Sequence, residues 1–390
     1  MGFCGAIEVK EGRVGEALDS FFHMLLEAEP SPGREADEDA RWLPVDSILV
    51  PQEGPVGTSV NQSLISRADF LRAGAALAPV MPVNSATLVK ELTRRNPGGR
   101  IAVFLRPCEI RALVELAKLK QAALDNLLII GMDCYGTYSV SDFSRLAEDG
   151  VQTFTADFLA RATGGEALEF EGVELRRACR MCEYPTPVLA DIKVLLFGAD
   201  PAKELLLWAE GGKGEKVLRT LGLTEREIPA GREKVVANLL AGRTAFRDAV
   251  LAEREAESAE PNGLIRLLAN CIACHNCREV CPVCYCRECT FDTPATEHEP
   301  DVYMAWARKR GRIKMPADTL FFHLVRMSHI GLCCVGCGMC TEACPNDIPV
   351  AELFRIAARE FQEVFEYLPG RDPEEPLPLS TFKEQELEPR

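Results

Sequence analysis

CIACHNCREVCP (271–282) and CVGCGMCTEACP (334–345) share one spacing, Cys-x2-Cys-x2-Cys-x3-Cys-Pro, and the second copy starts 63 residues after the first (334 − 271). A cubane of iron and sulfide needs four thiolates around one inorganic core, and a loop with three closely spaced cysteines delivers three of them. In doubled motifs of this kind the fourth cysteine ligates the other core. The spacing therefore predicts one ligand set of Cys271, Cys274, Cys277 and Cys344, and a second of Cys334, Cys337, Cys340 and Cys281. Zinc favours two separated Cys-x2-Cys pairs instead.

The doubled string has the spacing of a bacterial two-cluster ferredoxin, so the first expectation is electron transfer. Four more cysteines crowd it: Cys284, Cys286 and Cys289 follow the first copy, and Cys333 directly precedes the second. They either supplement the ligands, bind a further metal, or tune potential by hydrogen bonding to cluster sulfur, and the spacing leaves this open together with the crossed role of Cys281. The histidines (His23, His275, His298, His323, His329) follow no ligand spacing. His275 lies inside the first loop and reads as a potential-tuning neighbour.

At 390 residues the chain exceeds the usual size of one core, which predicts two domains. Its apolar content of 47 % with 26 % charge is that of a globular protein able to bury a core. A net charge of −15 disfavours nucleic acid and anionic membrane as partners. No apolar run approaches a bilayer-spanning length, and MGFCGAIEVKEGR at the start lacks the basic and apolar regions of a signal peptide. The expected location is the cytoplasm, where 17 cysteines read as reduced thiols serving metal, with Cys4 a free thiol.

Upstream of the doubled motif, apolar runs alternate with amphipathic stretches, an α/β pattern. Ser85 is expected to cap a helix over 86–95, Asn-Pro-Gly-Gly (96–99) breaks it, and IAVFL (101–105) reads as a buried strand. Pro107 then opens a helix over 109–122, and LLII (127–130) is the next, parallel strand. This crossover carries Cys108 and Cys134 to the same sheet edge, where ligands of open α/β sheets collect. Cys179 and Cys182 lie on a Pro-rich loop further on. The four either hold a third cubane, or divide into two small core residues and a redox pair or half zinc site. The charged stretch 252–263 is expected as a linker between residues 1–251 and a two-cluster unit at 264–366, with helices over 318–328 and 350–367. An acidic tail, flexible or reaching onto a neighbour, is expected over 367–390.

RPCEIRAL (106–113), DCYGT (133–137), Ala178-Cys179-x2-Cys182 and Ala190-Asp191-Ile192, in this order, resemble the beta subunits of coenzyme F420 hydrogenase and formate dehydrogenase. Having the doubled motif last is most similar to the formate dehydrogenase branch. The resemblance implies an α/β flavin and 4Fe-4S domain followed by an α+β ferredoxin-like domain with a helical insertion. It assigns Cys108, Cys134, Cys179 and Cys182 to the third cluster and adds FAD, which exchanges hydride with a deazaflavin. No Gly-x-Gly-x-x-Gly follows a strand. Flavin candidates are therefore amide-rich turns and helix starts: Gly57, Thr58, Asn84, Ser85, Arg106, Gly136 and Thr137, with Gly211-Gly212-Lys213-Gly214 either another such site or an ordinary turn. The implied function is an iron–sulfur, FAD-containing electron-transfer subunit of an oxidoreductase complex. Its partners would be a soluble carrier, coenzyme F420 or NAD(P)H, and a catalytic subunit such as formate dehydrogenase, a hydrogenase or a heterodisulfide-reductase-like protein. The alternative is a flavin-free iron–sulfur conduit that docks subunits.

Overall fold

The computed structural model describes residues 2–28, 42–71 and 75–381 and divides into two compact units. The first comprises residues 1–247 with 370–375, and the second 248–369 with 376–390.

The first unit is a mixed α/β structure on one eight-stranded sheet, ordered β3-β2-β4-β5-β6-β7-β1-β8. Its strands are β1 (Phe3–Glu8), β2 (Ser47–Glu53), β3 (Val60–Ile65), β4 (Ile101–Leu105), β5 (Leu127–Met132), β6 (Ile192–Leu195), β7 (Glu204–Ala209) and β8 (Thr224–Glu225). The central strands β2, β4, β5 and β6 run parallel, and the outer pairings are antiparallel. Every residue of β4 and β5 is buried, the usual condition of a parallel strand covered on both faces. Helices α1 (Val14–Glu27), α2 (Ala86–Thr93), α3 (Pro107–Lys118), α4 (Val140–Leu146), α5 (Val151–Gly164), α6 (Arg177–Arg180) and α7 (Gly212–Thr220) connect the strands. Phe21 and Phe22 of α1 join Phe104 of β4 in the main core. The expected β4-α3-β5 crossover is present. Pro107 occupies the first helical turn, and Glu109 closes a capping box on the Arg106 amide.

Two local expectations are corrected. Ser85 makes no side-chain cap; Asn84 Oδ1 instead accepts from the Ala86 amide at 3.1 Å, an Asx turn. Part of the expected acidic tail is seated on the first unit. Gly370 donates its amide to Glu115 Oε1 at 2.7 Å, and Glu375 pairs with Lys118 at 3.4 Å. Gly370 is required there, because its φ is +74° and an added Cβ would lie 2.5 Å from Arg111 Cα. Residues 382–390 of that tail lie outside the described residues.

The expected linker at 252–263 is also different. Helix α8 (Arg232–Ala259) runs through most of it, and the division between the units falls inside that helix. Charge alone does not break a helix when the residues are Ala, Glu and Arg, all strong helix formers. The second unit continues with α9 (Gly263–Leu267), α10 (Asn276–Glu279), α11 (Pro300–Arg310), α12 (Thr319–Ile330), α13 (Met339–Glu342) and α14 (Val350–Val364). Its core gathers Leu268, Phe322, Ile330, Ile348, Leu353 and Phe354 around Cys277. Among the described residues this unit contains no strand, so the α+β expectation is corrected to helices and loops. The flanks of the thiol loops carry apolar groups at helical spacing, as in α14, whose buried face is Val350, Ala351, Leu353, Phe354 and Ala358. No helix among the described residues is long and apolar enough to cross a membrane.

Candidate iron–sulfur and flavin sites

The backbone of the two thiol loops repeats at the 63-residue offset. Ala273 and His275 take left-handed φ values of +53° and +59° in the first loop, and Gly336 and Gly338 take +72° and +75° in the second. One-turn helices α10 and α13 then start at matching positions. Left-handed residues spaced two apart curl the backbone so that successive amides turn toward one side, which is how a short loop builds an anion-accepting concavity.

Thiols from the two copies lie near one another. Cys271, Cys274, Cys277 and Cys344 line one pocket together with His275, Phe322, His323 and Pro345. Burial raises the Cys277 thiol, Arg326 opposes that, and Cys271, Cys274 and Cys344 each add to it electrostatically. In the other set, burial pushes the Cys281 thiol far up, Arg326 opposes that, and Cys337, Cys284 and Cys334 add to it, while Cys340 is raised by burial and by Cys281, Cys337 and Cys334. Each copy's Cys-Pro cysteine thus faces the other copy's loop. Buried thiols that mutually oppose ionisation suit a shared cationic core, which holds them as thiolates. Among the described residues no three His, Cys, Asp or Glu side chains close to the geometry of a single ion. A tetrahedral zinc site with bonds of ~2.3 Å holds its sulfurs ~3.8 Å apart, whereas a cubane takes ligands from a wider tetrahedron.

Helix α12 caps the first set. Arg326 Nη1 donates to Cys277 Sγ at 3.0 Å and its Nη2 to the Cys277 carbonyl at 3.0 Å. His323 Nε2 lies 3.4 Å from Cys271 Sγ, and burial, then Arg326, lowers its pKa to about 4, so the ring is neutral. His275, expected to tune potential, lines the pocket of the first set and stacks on Phe322 at 4.3 Å and 15°. The additional thiols form a neighbouring group in which Cys286 and Cys289 both oppose ionisation of Cys284. Cys286 Sγ lies 3.7 Å from His329 Nδ1, and Cys333 is fully buried beside Tyr285. Cys4 is buried in β1, its thiol pushed up to about 11 by burial and then by Glu204.

In the first unit, Cys108 opens α3 just past β4, and Cys134 follows β5. The Cys134 amide donates to the Pro185 carbonyl at 2.9 Å, drawing the Cys179–Cys182 loop to the same sheet edge. Burial pushes the Cys134 thiol up to about 11; Arg106 and Arg243 pull it down, while Cys179 and Cys182 raise it. Burial also works against Cys179, yet Arg176 and a 3.3 Å contact to Thr137 Oγ1 bring it below its ordinary value. Cys134, Cys179 and Cys182 therefore interact, and Cys108 shares their edge with its Sγ 4.0 Å from Met81 Sδ. Asp133 anchors the assembly from full burial, accepting from the Leu196 and Phe197 amides at 2.8 and 3.0 Å and pairing with both Nη groups of Arg232.

The flavin candidates separate into three places. Gly57 and Thr58 form the turn between β2 and β3, with Thr58 Oγ1 3.1 Å from Ser144 Oγ. Gly136 and Thr137 pack on Cys179, since an added Cβ on Gly136 would lie 3.2 Å from Cys179 Cβ. Asn84, Ser85 and Arg106 meet at Glu109, whose carboxylate accepts from the Ser85 and Arg106 amides at 2.7 Å each. There three buried polar atoms have no partner: Asn84 Nδ2, Ser85 Oγ and Arg106 Nε. Orphaned donors next to Cys108 are what a polar cofactor would satisfy. The Gly211–Gly214 segment packs against the end of the Asp191 loop. An added Cβ on Gly214 would lie 1.9 Å from the Asp191 carbonyl oxygen, and Lys213 is committed to Asp191 at 3.1 Å.

Sequence reasoning missed Arg326, His323, Arg232 and Arg243. Their only signal was a buried-face register for a polar residue on an amphipathic helix.

Residues 98–225, which carry all four cysteines of the sheet edge, match the family described as the C terminus of the coenzyme F420 hydrogenase/dehydrogenase beta subunit. Over that stretch the chain is similar to this family of beta subunits. Among its relatives, the F420-dependent formate dehydrogenase subunit beta of Methanocaldococcus jannaschii is 28 % identical over 353 residues, covering 84 % of this chain and 88 % of that protein. The F420-dependent formate dehydrogenase 1 subunit beta of Methanococcus maripaludis is 29 % identical over 399 residues, covering 95 % and 94 %. A chain of the F420-reducing [NiFe] hydrogenase complex from Methanosarcina barkeri superposes with a TM-score of 0.44 at 13 % identity, covering 64 % of this chain and 92 % of that one.

Proposed function

We propose that this chain is the electron-transferring beta subunit of a formate dehydrogenase-type complex, with three four-iron cubanes and FAD. The observation that carries the reading is the exchange of cysteines between the two loops, which assembles one four-thiol set around a pocket and a second around Cys281. Cys108, Cys134, Cys179 and Cys182 would hold the third cubane, and the orphaned donors of Asn84, Ser85 and Arg106 support a flavin beside it. When bound, these groups would convert hydride transfer with a soluble carrier into one-electron steps. Coenzyme F420 is the carrier favoured by the relatives' names, and the catalytic component of a formate dehydrogenase is the favoured partner.

The protein's own contribution is binding and electrostatics. Arg106, Arg176 and Arg243 surround the sheet-edge thiols and favour their charged form, while Asp133 and Arg232 lock the Cys134 loop to the end of β6. Anaerobic purification with iron, acid-labile sulfide and flavin measured together tests the reading. About twelve irons and one FAD per chain are expected. About eight irons would remove the third cluster, and full iron without flavin would leave the conduit that docks subunits.

A further inference from the structure

Arg326 is 3 % exposed and, among the described residues, has no carboxylate partner. Its two Nη groups reach only Cys277, one the sulfur and one the carbonyl, and its guanidinium lies over the Phe322 and Phe354 rings at 5.4 and 4.8 Å. Burying an unpaired cation costs several kcal/mol, so its counter-charge must come from what it touches. The touched group is a ligand of the first thiol set. A cubane held by four thiolates is anionic and gains one negative charge on reduction, so a guanidinium at a ligand sulfur stabilises the reduced state more than the oxidised one. The field of Arg326 also reaches Cys281 and Cys340 of the second set, without a hydrogen bond to either.

We infer that Arg326 is a potential-setting residue which makes the Cys271/Cys274/Cys277/Cys344 cubane the more easily reduced of the pair, so that electrons rest there. His323, on the same face of α12, adds a longer contact to Cys271 Sγ at 3.4 Å, so the two nitrogen-bearing side chains of that buried face are both directed at ligands of the first set. The inference rests on the iron–sulfur reading above. It goes beyond that reading by ordering the two centres and naming the residue that orders them.

The experiment is an anaerobic redox titration followed by electron paramagnetic resonance on the full chain, comparing wild type with Arg326→Met and Arg326→Lys. The signal missing from a Cys344→Ala variant identifies the first cubane. Arg326→Met should retain its iron and labile sulfide while the reduction equilibrium of the first cubane falls about tenfold, equivalent to ~59 mV for one electron, with a smaller shift in the second. Arg326→Lys keeps the charge but not the two-pronged contact and should lie between. Iron-replete Arg326→Met with the reduction equilibria of both centres within twofold of wild type overturns the inference, as does an equal shift in both centres. A wild-type chain without cubane signals overturns the iron–sulfur reading itself.

Discussion

The two thiol loops have the same backbone and different supports. The second uses Gly336 and Gly338 where the first forces Ala273 and His275 into left-handed φ, a conformation costing an L-residue roughly 1–2 kcal/mol. In return the first loop acquires a side chain, His275, that stacks on Phe322 of α12, the helix that also brings His323 and Arg326 onto its thiols. The second loop is held through its backbone. Gln362 Nε2 faces the Gly331, Leu332 and Cys334 carbonyls at 3.1, 3.3 and 3.0 Å, and Arg355 lies over Gly336. A repeated motif therefore yields two electrically distinct sites, because what differs is the helix packed against each copy.

The largest effect that could break this comparison comes from exchanging ligands. Replacing Cys344 by Ser should destroy the cubane of the first loop although Cys344 belongs to the second copy, and Cys281→Ser should destroy that of the second loop. Each variant should lose about four irons, and iron analysis with electron paramagnetic resonance should show complementary signals missing. Loss of the same signal in both, or of the signal of the copy that was mutated, would mean the cysteines are not crossed. Next in size is Gln362→Leu, which removes the two N–H donors shared among the Gly331, Leu332 and Cys334 carbonyls. A loss of about 1–3 kcal/mol in unfolding free energy is expected, with iron released to a chelator faster from the second centre than from the first. Equal release from both would show that Gln362 supports the unit as a whole.

The sheet-edge geometry and the crossed thiols were legible in the sequence because both follow from short-range rules. A strand-helix-strand crossover dictates where Cys108 and Cys134 emerge, and the cysteine spacing dictates which thiols a loop can present. Arg326 was not legible. An arginine at position 326 reads as the solvated side of an amphipathic helix until packing shows that it shares the buried face with Thr319, Phe322, His323 and Ile330. The 252–263 stretch failed for a related reason: its charges suggested a linker, yet helix propensity with ion pairs such as Arg254–Glu352 at 2.8 Å, where Glu352 is buried, keeps it helical. The tail failed because two isolated contacts, the Gly370 amide to buried Glu115 and Glu375 to Lys118, seat it, and no periodicity announces such contacts.

The smallest effect sharpens the comparison most, because it isolates conformation from chemistry. Gly336→Ala introduces a Cβ at φ +72°, 3.1 Å from the flexible Arg355 Cδ, which can move aside, so the cost is chiefly conformational and about 1 kcal/mol. Ala273→Gly at the matching position relieves the same strain but gives the unfolded chain more freedom, about 0.4–1 kcal/mol, so the net gain should be a few tenths of a kcal/mol. Thermal unfolding of the cluster-loaded protein should therefore move in opposite directions for the two substitutions. If both destabilise equally, the left-handed turn of the first loop is held without strain by the stack of His275 on Phe322. The two copies would then differ only in the helix that covers them.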